Sequence, residues 1–229
     1  MSYFKNFPKI ITTSNNKNII IKDFLRRVSV SNKFRDTSVA LDKYLIKDGE
    51  TPEIVSQKLY NSVDYFWVIL MVNDITDPRS EWPIGNEFIP DLIYLNYDFE
   101  MTVTDGSQFA VNDEINSSNG GYFLVSSISG TTLKLRSQYK RASLTSSVTL
   151  DNVTKNISGI SISSITDPNN QTHHYVSSDG YIVDSDYSGA TAVSNFEYEI
   201  SKNDDKRHIR VLPSALIGLF VGQFKNLIK

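Results

Sequence analysis

The stretch Tyr44–Pro90, YLIKDGETPEIVSQKLYNSVDYFWVILMVNDITDPRSEWPIGNEFIP, decides how the rest of the chain is read. It opens on a short alternating run, Tyr44-Leu45-Ile46-Lys47, and turns at Asp48-Gly49, where glycine takes a left-handed backbone angle at little steric cost. Thr51 is a good N-cap, and Pro52 suits the first helical position, where its missing N–H is not needed. Ile54, Val55, Lys58 and Leu59 then form one stripe at helical period. Asn61 can close that helix in a left-handed cap. Ser62 or Asp64 can cap a second helix, Tyr65 to Val72, which is apolar on every side. Such a helix is buried or forms an interface. It is too short for a membrane span, which takes about 20 residues. Asn73-Asp74 and Asp77-Pro78 end it, and Trp82 to Pro90 reads as a closing extended piece. Strand, helix, helix, strand predicts two antiparallel strands with both helices on one face.

The residues that carry this pattern resemble a known family. Tyr44-x-x-Lys47-x-Gly49-Glu50-Thr51, Ile54-Val55, Asn73, Asp77-Pro78 and Ile84-Gly85-x-x-Phe88-Ile89-Pro90 look like a LysM domain. The helix Tyr65-Phe66-Trp67-Val68-Ile69-Leu70-Met71-Val72-Asn73-Asp74, followed by Asp77-Pro78 and Trp82, is more particular. It resembles the LysM-like baseplate wedge subunit of contractile-tailed, T-even-type bacteriophages. The resemblance spans about residues 20 to 95 and resumes at Asn203; the middle of the chain is outside it. It implies an α+β fold: a LysM-like βααβ domain with an inserted small all-β domain and a C-terminal helix. The corresponding division is an arm and short helix at 1–43, the LysM-like domain at 44–95, a β-rich insertion at 96–202, and a strand and helix at 203–229 returning to the core. It also implies a structural virion protein that joins neighbouring wedges in the tail baseplate, with other wedge subunits as partners. The alternative is a LysM module that binds peptidoglycan; no export signal or hydrolase motif accompanies it.

Composition bounds these readings. The chain has 229 residues, 40% hydrophobic and 21% charged, an ordinary globular make-up. The absence of cysteine excludes disulfides and thiolate metal sites. A formal net charge of -3 offers no basic excess to grip a phosphate backbone, so nucleic acid is not expected as a partner. The N-terminal MSYFKNFPKI lacks the long apolar core of a secretory signal, and no run reaches membrane length. The expected setting is a reducing cytoplasm, or a particle assembled there.

Around the central stretch, Tyr3, Phe4 and Phe7 make the N-terminus unusually aromatic, and Pro8 prevents a long helix. This end docks either on its own domain or on a neighbour. Asp23-Phe24-Leu25-Arg26-Arg27-Val28 reads as a short helix, and Arg26, Arg27, Lys33 and Arg35 form a small basic group, either a solvated face or a contact for an acidic partner surface. From 101 to 166 helical period disappears. Asn119-Gly120-Gly121 and Ser129-Gly130 punctuate short alternating runs such as Thr131 to Leu135, which predicts a small barrel or twisted sheet. A third reading has this insertion recognise a host surface, and deleting it separates that role from a scaffold role. His173-His174 belongs to a hairpin, and Phe196 to Ile200 alternates as a strand would. The last helix follows Pro213-Ser214, with Ser214 as N-cap, Lys225 and Lys229 near its C-terminal end, and Gly218 and Gly222 on one face.

Catalytic patterns are missing. There is no phosphate-cradling Gly-rich loop, no Gly-x-Gly-x-x-Gly run and no Gly-x-Ser-x-Gly elbow. His173 and His174, adjacent on a strand, should point to opposite faces and share no ligand. A metal site of His174 with Asp179 or Asp184 is weaker than a reading of both as surface histidines. Asp204-Asp205 beside Lys206-Arg207 reads as a self-compensating solvated turn, and Asp74 and Asp77 as turn and cap residues. No catalytic, cofactor or metal residues are assigned. The protein-interface candidates are Tyr3, Phe4, Phe7, Trp67, Trp82, Gly218, Gly222 and Phe224, because surplus apolar surface needs a partner. Trp67 and the last helix fit a self-packed core as well.

Overall fold

The computed structural model describes residues 4, 7–15, 17–23, 28–30, 41–138 and 144–228. Tyr3, the Asp23–Val28 helix over its central residues, and the Arg26, Arg27, Lys33, Arg35 group lie outside them. In chain order, the hairpin β1 (Lys9–Ser14) and β2 (Lys17–Lys22) is followed by β3 (Asp42–Leu45). Helices α1 (Pro52–Tyr60), α2 (Phe66–Val72), α3 (Pro78–Glu81) and α4 (Ile89–Asn96) come next. Six strands follow: β4 (Phe99–Val103), β5 (Glu114–Ser117), β6 (Tyr122–Ser129), β7 (Thr132–Ser137), β8 (Thr149–Asn152) and β9 (Ile157–Thr166). Then come β10 (Thr172–Val176), β11 (Ile182–Val183), β12 (Thr191–Ser194), α5 (Asn195–Asp205), β13 (His208–Val211) and α6 (Ile217–Leu227). The chain divides into two compact units, residues 1–85 with 203–229, and residues 86–202.

In the first unit the local signals act as their chemistry dictates. The Thr51 hydroxyl accepts from the Ile54 N–H at 3.4 Å, Pro52 sits in the first turn of α1, and Asn61 ends it at φ 54°. The Asp77 carboxylate accepts from the Arg79 N–H at 3.1 Å and so caps α3. The pairing differs from expectation. Trp82 to Pro90 forms no strand: Asn86–Phe88 is a 3₁₀ turn, and α4 begins at Ile89. Pro90, in the first turn of α4, has its φ preset for a helix, and Ile89, Ile93 and Tyr94 are buried at helical spacing. The strand that pairs with β3 is β13, in the antiparallel register Asp42↔Val211 to Leu45↔His208.

The α+β expectation of a LysM-like βααβ domain with a minor insertion is therefore overturned. The chain is β-rich, and its largest construction is the closed barrel β4-β7-β6-β5-β8-β9 of the second unit. Inward residues alternate along its strands, as a pleated sheet requires. Phe99, Met101, Ile115, Phe123, Leu133, Leu135 and Leu150 are fully buried there, with Phe99 and Phe123 edge to face at 5.7 Å. Gly120 (φ 88°) and Gly130 (φ 60°) make the turns of the β5–β6 and β6–β7 hairpins. Gly106 meets a different demand: a Cβ there would lie 1.9 Å from the Gly130 carbonyl oxygen, so only glycine fits.

The segment expected as a strand at Phe196 to Ile200 is helix α5. Ser194 and Glu197 form a reciprocal cap, the Glu197 carboxylate accepting from the Ser194 N–H at 2.8 Å and the Ser194 hydroxyl from the Glu197 N–H at 3.2 Å. The buried residues Asn195, Glu199 and Asn203 recur every fourth position, so the inward stripe is polar. The Asn195 amide donates to the Pro168 carbonyl at 2.8 Å, and the Tyr97 hydroxyl donates to Glu199 at 2.9 Å. At α6 a 3₁₀ turn, Ser214–Leu216, precedes the helix, so Ser214 is not its N-cap.

Buried polar ties hold the first unit together. Glu50 accepts from the Lys47 N–H at 2.8 Å, from the Tyr44 hydroxyl at 3.0 Å, and from the Lys58 ammonium. Burial works against its charge, but those donors outweigh it and keep the carboxyl below its ordinary value. The same burial, with the carboxylate beside it, pushes the Tyr44 hydroxyl up to about 12. Arg207 is not part of a solvated turn: it is buried, and its guanidinium donates at 2.8 Å to both Asp48 and Asp204. Burial opposes its charge, yet the two carboxylates raise its affinity for the proton.

Candidate functional site: apolar surfaces around α2 and α6

The apolar α2 is the centre of the first unit. Trp67, Val68 and Val72 pack with Phe7, Leu41, Leu212, Phe224 and Ile228 in one buried cluster. The Trp67 ring lies 4.6 Å from Phe224 and 6.4 Å from Phe220 of α6. Three of the sequence candidates, Phe7, Trp67 and Phe224, thus meet in one core. The N-terminal arm docks on its own unit through Phe7. Trp82 is also buried, in the adjoining cluster with Ile46, Val55, Ile69, Ile209 and Val211, and its indole N–H donates to the Glu50 carbonyl at 2.7 Å.

Asn73 fixes the end of α2 against the sheet. Its amide donates to the carbonyls of Ile69 at 2.8 Å and Arg210 at 2.7 Å, and its Oδ1 accepts from the Arg210 N–H at 2.8 Å. The side chain thereby satisfies the outward-facing backbone of Arg210 as a neighbouring strand would. Asp74 follows at φ 59°, and the Ile75 N–H returns to the Leu70 carbonyl at 2.9 Å.

Apolar surface stands open among the described residues in two places near α2 and α6. A cleft of about 470 Å³ runs along α2, lined by Phe4, Phe66, Trp67, Leu70, Met71 and Ile75 among others. On α6 Phe224 faces inward, as does Ile228 just past its end, whereas Leu219 and Leu227, with Leu216 of the preceding turn, face out. Elsewhere on the exposed side of the helix, a Cβ at Gly218 or Gly222 would meet nothing within 4 Å. The close approach those glycines permit is therefore not used by the described residues of this chain.

The histidine pair departs from its expected geometry. The β10–β12 register shifts between Thr172 and His174, and this bulge turns both rings to the same place. Their Nδ1 atoms lie 2.9 Å apart, one necessarily donating to the other. His173 also stacks on Tyr198 at 3.8 Å. Burial, then the neighbouring His174, holds His173 below the ordinary histidine value. Among the described residues, no three His, Asp or Glu side chains gather to hold a metal ion, and no helix is long and apolar enough to cross a membrane.

An aromatic core that leaves exposed leucines and an apolar cleft at its edge offers surfaces for association with other proteins. Residues 2–119, slightly more than half of the chain, match the family model described as base plate wedge protein 53, and the chain belongs to that family of phage proteins. Its role is thus structural, as a component of the phage baseplate in the virion tail. No curated protein matches the chain.

Proposed function

We propose that this chain joins neighbouring wedges of a contractile-tail baseplate, taking other wedge subunits as its partners during tail assembly in the host cytoplasm. The observation that carries the reading is the open face of α6. Leu219 and Leu227 are 65% and 71% exposed, and Gly222, one turn on from Leu219, leaves room for a second backbone. Leucines held in water on a rigid helix favour association, at roughly 1.5–3 kcal/mol for each side chain fully covered. The cleft along α2 gives a second seat on the same unit, with Phe4 at its wall. Gly222 then serves the contact between subunits rather than the chain's own core.

The test is a phage carrying Leu219→Glu and Leu227→Glu together. These side chains are exposed, so the purified variant should melt as the parent does. Electron microscopy of infected-cell lysates should show tails without closed baseplates. Normal baseplates at parental yield would refute the role of this face.

A further inference from the structure

The β1–β2 hairpin is a further exposed surface, and it combines apolar with charged side chains. Two-stranded sheets are marginal in water on their own. This one pairs Ile11 with Ile20 and Ile10 with Ile21. Ile11 and Ile20 are 71% and 68% exposed on one face. By the two-residue period, Lys9 and Lys22 flank them on that face. The hairpin is tethered at its root: the Asp23 N–H donates to the Pro8 carbonyl at 2.9 Å, and the Lys22 ammonium to the Phe7 carbonyl at 2.9 Å, next to the buried Phe7 ring. It is therefore presented from a fixed base.

Charge is strongly polarised along the chain. Residues 1–22 contain Lys5, Lys9, Lys17 and Lys22 and no carboxylate. Residues 156–201 contain Asp167, Asp179, Asp184, Asp186, Glu197 and Glu199 and neither Lys nor Arg. Within that acidic stretch, β11 lies at one edge of the three-stranded sheet β11-β10-β12. Its tip is locked by the Ser177 N–H donating to the Tyr181 carbonyl and the Gly180 N–H to the Ser177 carbonyl, each at 2.9 Å. Tyr181 and Ile182 project from it at 73% and 76% exposure, and Asp179 and Asp184 stand beside them.

We infer that the hairpin of one copy docks on the β10–β11 tip of a second copy of this chain. Ile11 and Ile20 cover Tyr181 and Ile182, and Lys9 at their flank faces Asp179, Asp184 and Asp186. Opposite charges around an apolar centre fix the register and exclude like-charged surfaces. Because the two patches differ, the contact is head-to-tail, the kind that closes into a ring when the rotation allows it. The inference rests on the joining role proposed above and supplies it with a contact between copies.

The experiment is sedimentation velocity of the purified full chain over a range of protein and salt concentrations. The parent should associate with rising protein concentration and dissociate with added salt, since exposed charge pairs are screened. Lys9→Asp, on the Ile11 and Ile20 face, and separately Asp184→Lys with Asp186→Lys, should each weaken association at least tenfold. Mixing the two variants should restore it, because reversed charges again meet their opposites. A parent that stays monomeric at every concentration, binds only other baseplate proteins, or associates equally well in both variants would overturn the inference. Baseplate incorporation of a strictly monomeric chain would sink this contact and leave the wedge role standing. Self-association without incorporation would do the reverse.

Discussion

Replacing Glu50 by Ala tests the central claim about what holds the first unit together. The carboxylate is buried, with the Tyr44 hydroxyl, the Lys47 N–H and the Lys58 ammonium all donating to it. Truncation leaves the Tyr44 hydroxyl and the Lys47 N–H without their acceptor, at about 1–3 kcal/mol each when water cannot replace it. The Lys58 side chain is half exposed, so its share is about 1 kcal/mol or less. The expected loss is about 3 kcal/mol, a fall of roughly 10 °C in melting temperature. Trp67 and Trp82, the 2 tryptophans of the chain, both lie in the first unit, so their fluorescence reports its unfolding alone. Glu50→Gln keeps an acceptor and the volume, and should lose less. The pH dependence has a definite sign. The folded Glu50 carboxyl lies below its ordinary 4.5, so its contribution is present above that pH and disappears as pH falls through the folded value. The gap between parent and Glu50→Ala should therefore close on acidification. Tyr44 works at the other end: its neutral hydroxyl is stabilised below pH 10.0, and that contribution is lost as pH rises through about 12. A Glu50→Ala protein within about 0.5 kcal/mol of the parent at neutral pH, the range of ordinary surface substitutions, would refute this account.

Other substitutions probe separate features. Gly106→Ala forces a Cβ toward the Gly130 carbonyl and should cost the barrel about 3 kcal/mol, read by circular dichroism as an earlier loss of strand signal. Asn73→Ala removes the amide that serves both Ile69 and Arg210. About 1–2 kcal/mol should go, and the Arg210 amide should exchange its hydrogen faster while the barrel amides do not. Lys134→Ala breaks the 3.5 Å pair with Glu100, where both side chains are about half exposed; urea melts should move by less than about 1 kcal/mol.

Much of the local structure is written in adjacent residues. Thr51, Pro52 and Asn61 bracket α1 because a cap hydroxyl, a preset φ and a tolerated left-handed angle act within one turn. The barrel turns at Gly120 and Gly130 are legible for the same reason. The interior of α5 was hidden because its inward stripe is Asn195, Glu199 and Asn203, and apolar periodicity cannot register a polar face. The histidine geometry was hidden because a bulge adds a residue to one strand only, and this shows solely against the partner strand.

Elements whose causes lie within a few residues are legible from the residues alone, as is the surplus of apolar side chains on α2 and α6. The pairing of β3 with β13, the inward turn of Trp82 to the Glu50 carbonyl and the closing of six strands into a barrel arise from long-range packing. Strand partners and closure depend on which distant backbones satisfy each other's hydrogen bonds, and no local period carries that information. The same reason separates Phe224 from Leu227: both are apolar residues of one helix, and only packing against Trp67 buries the first and leaves the second in water.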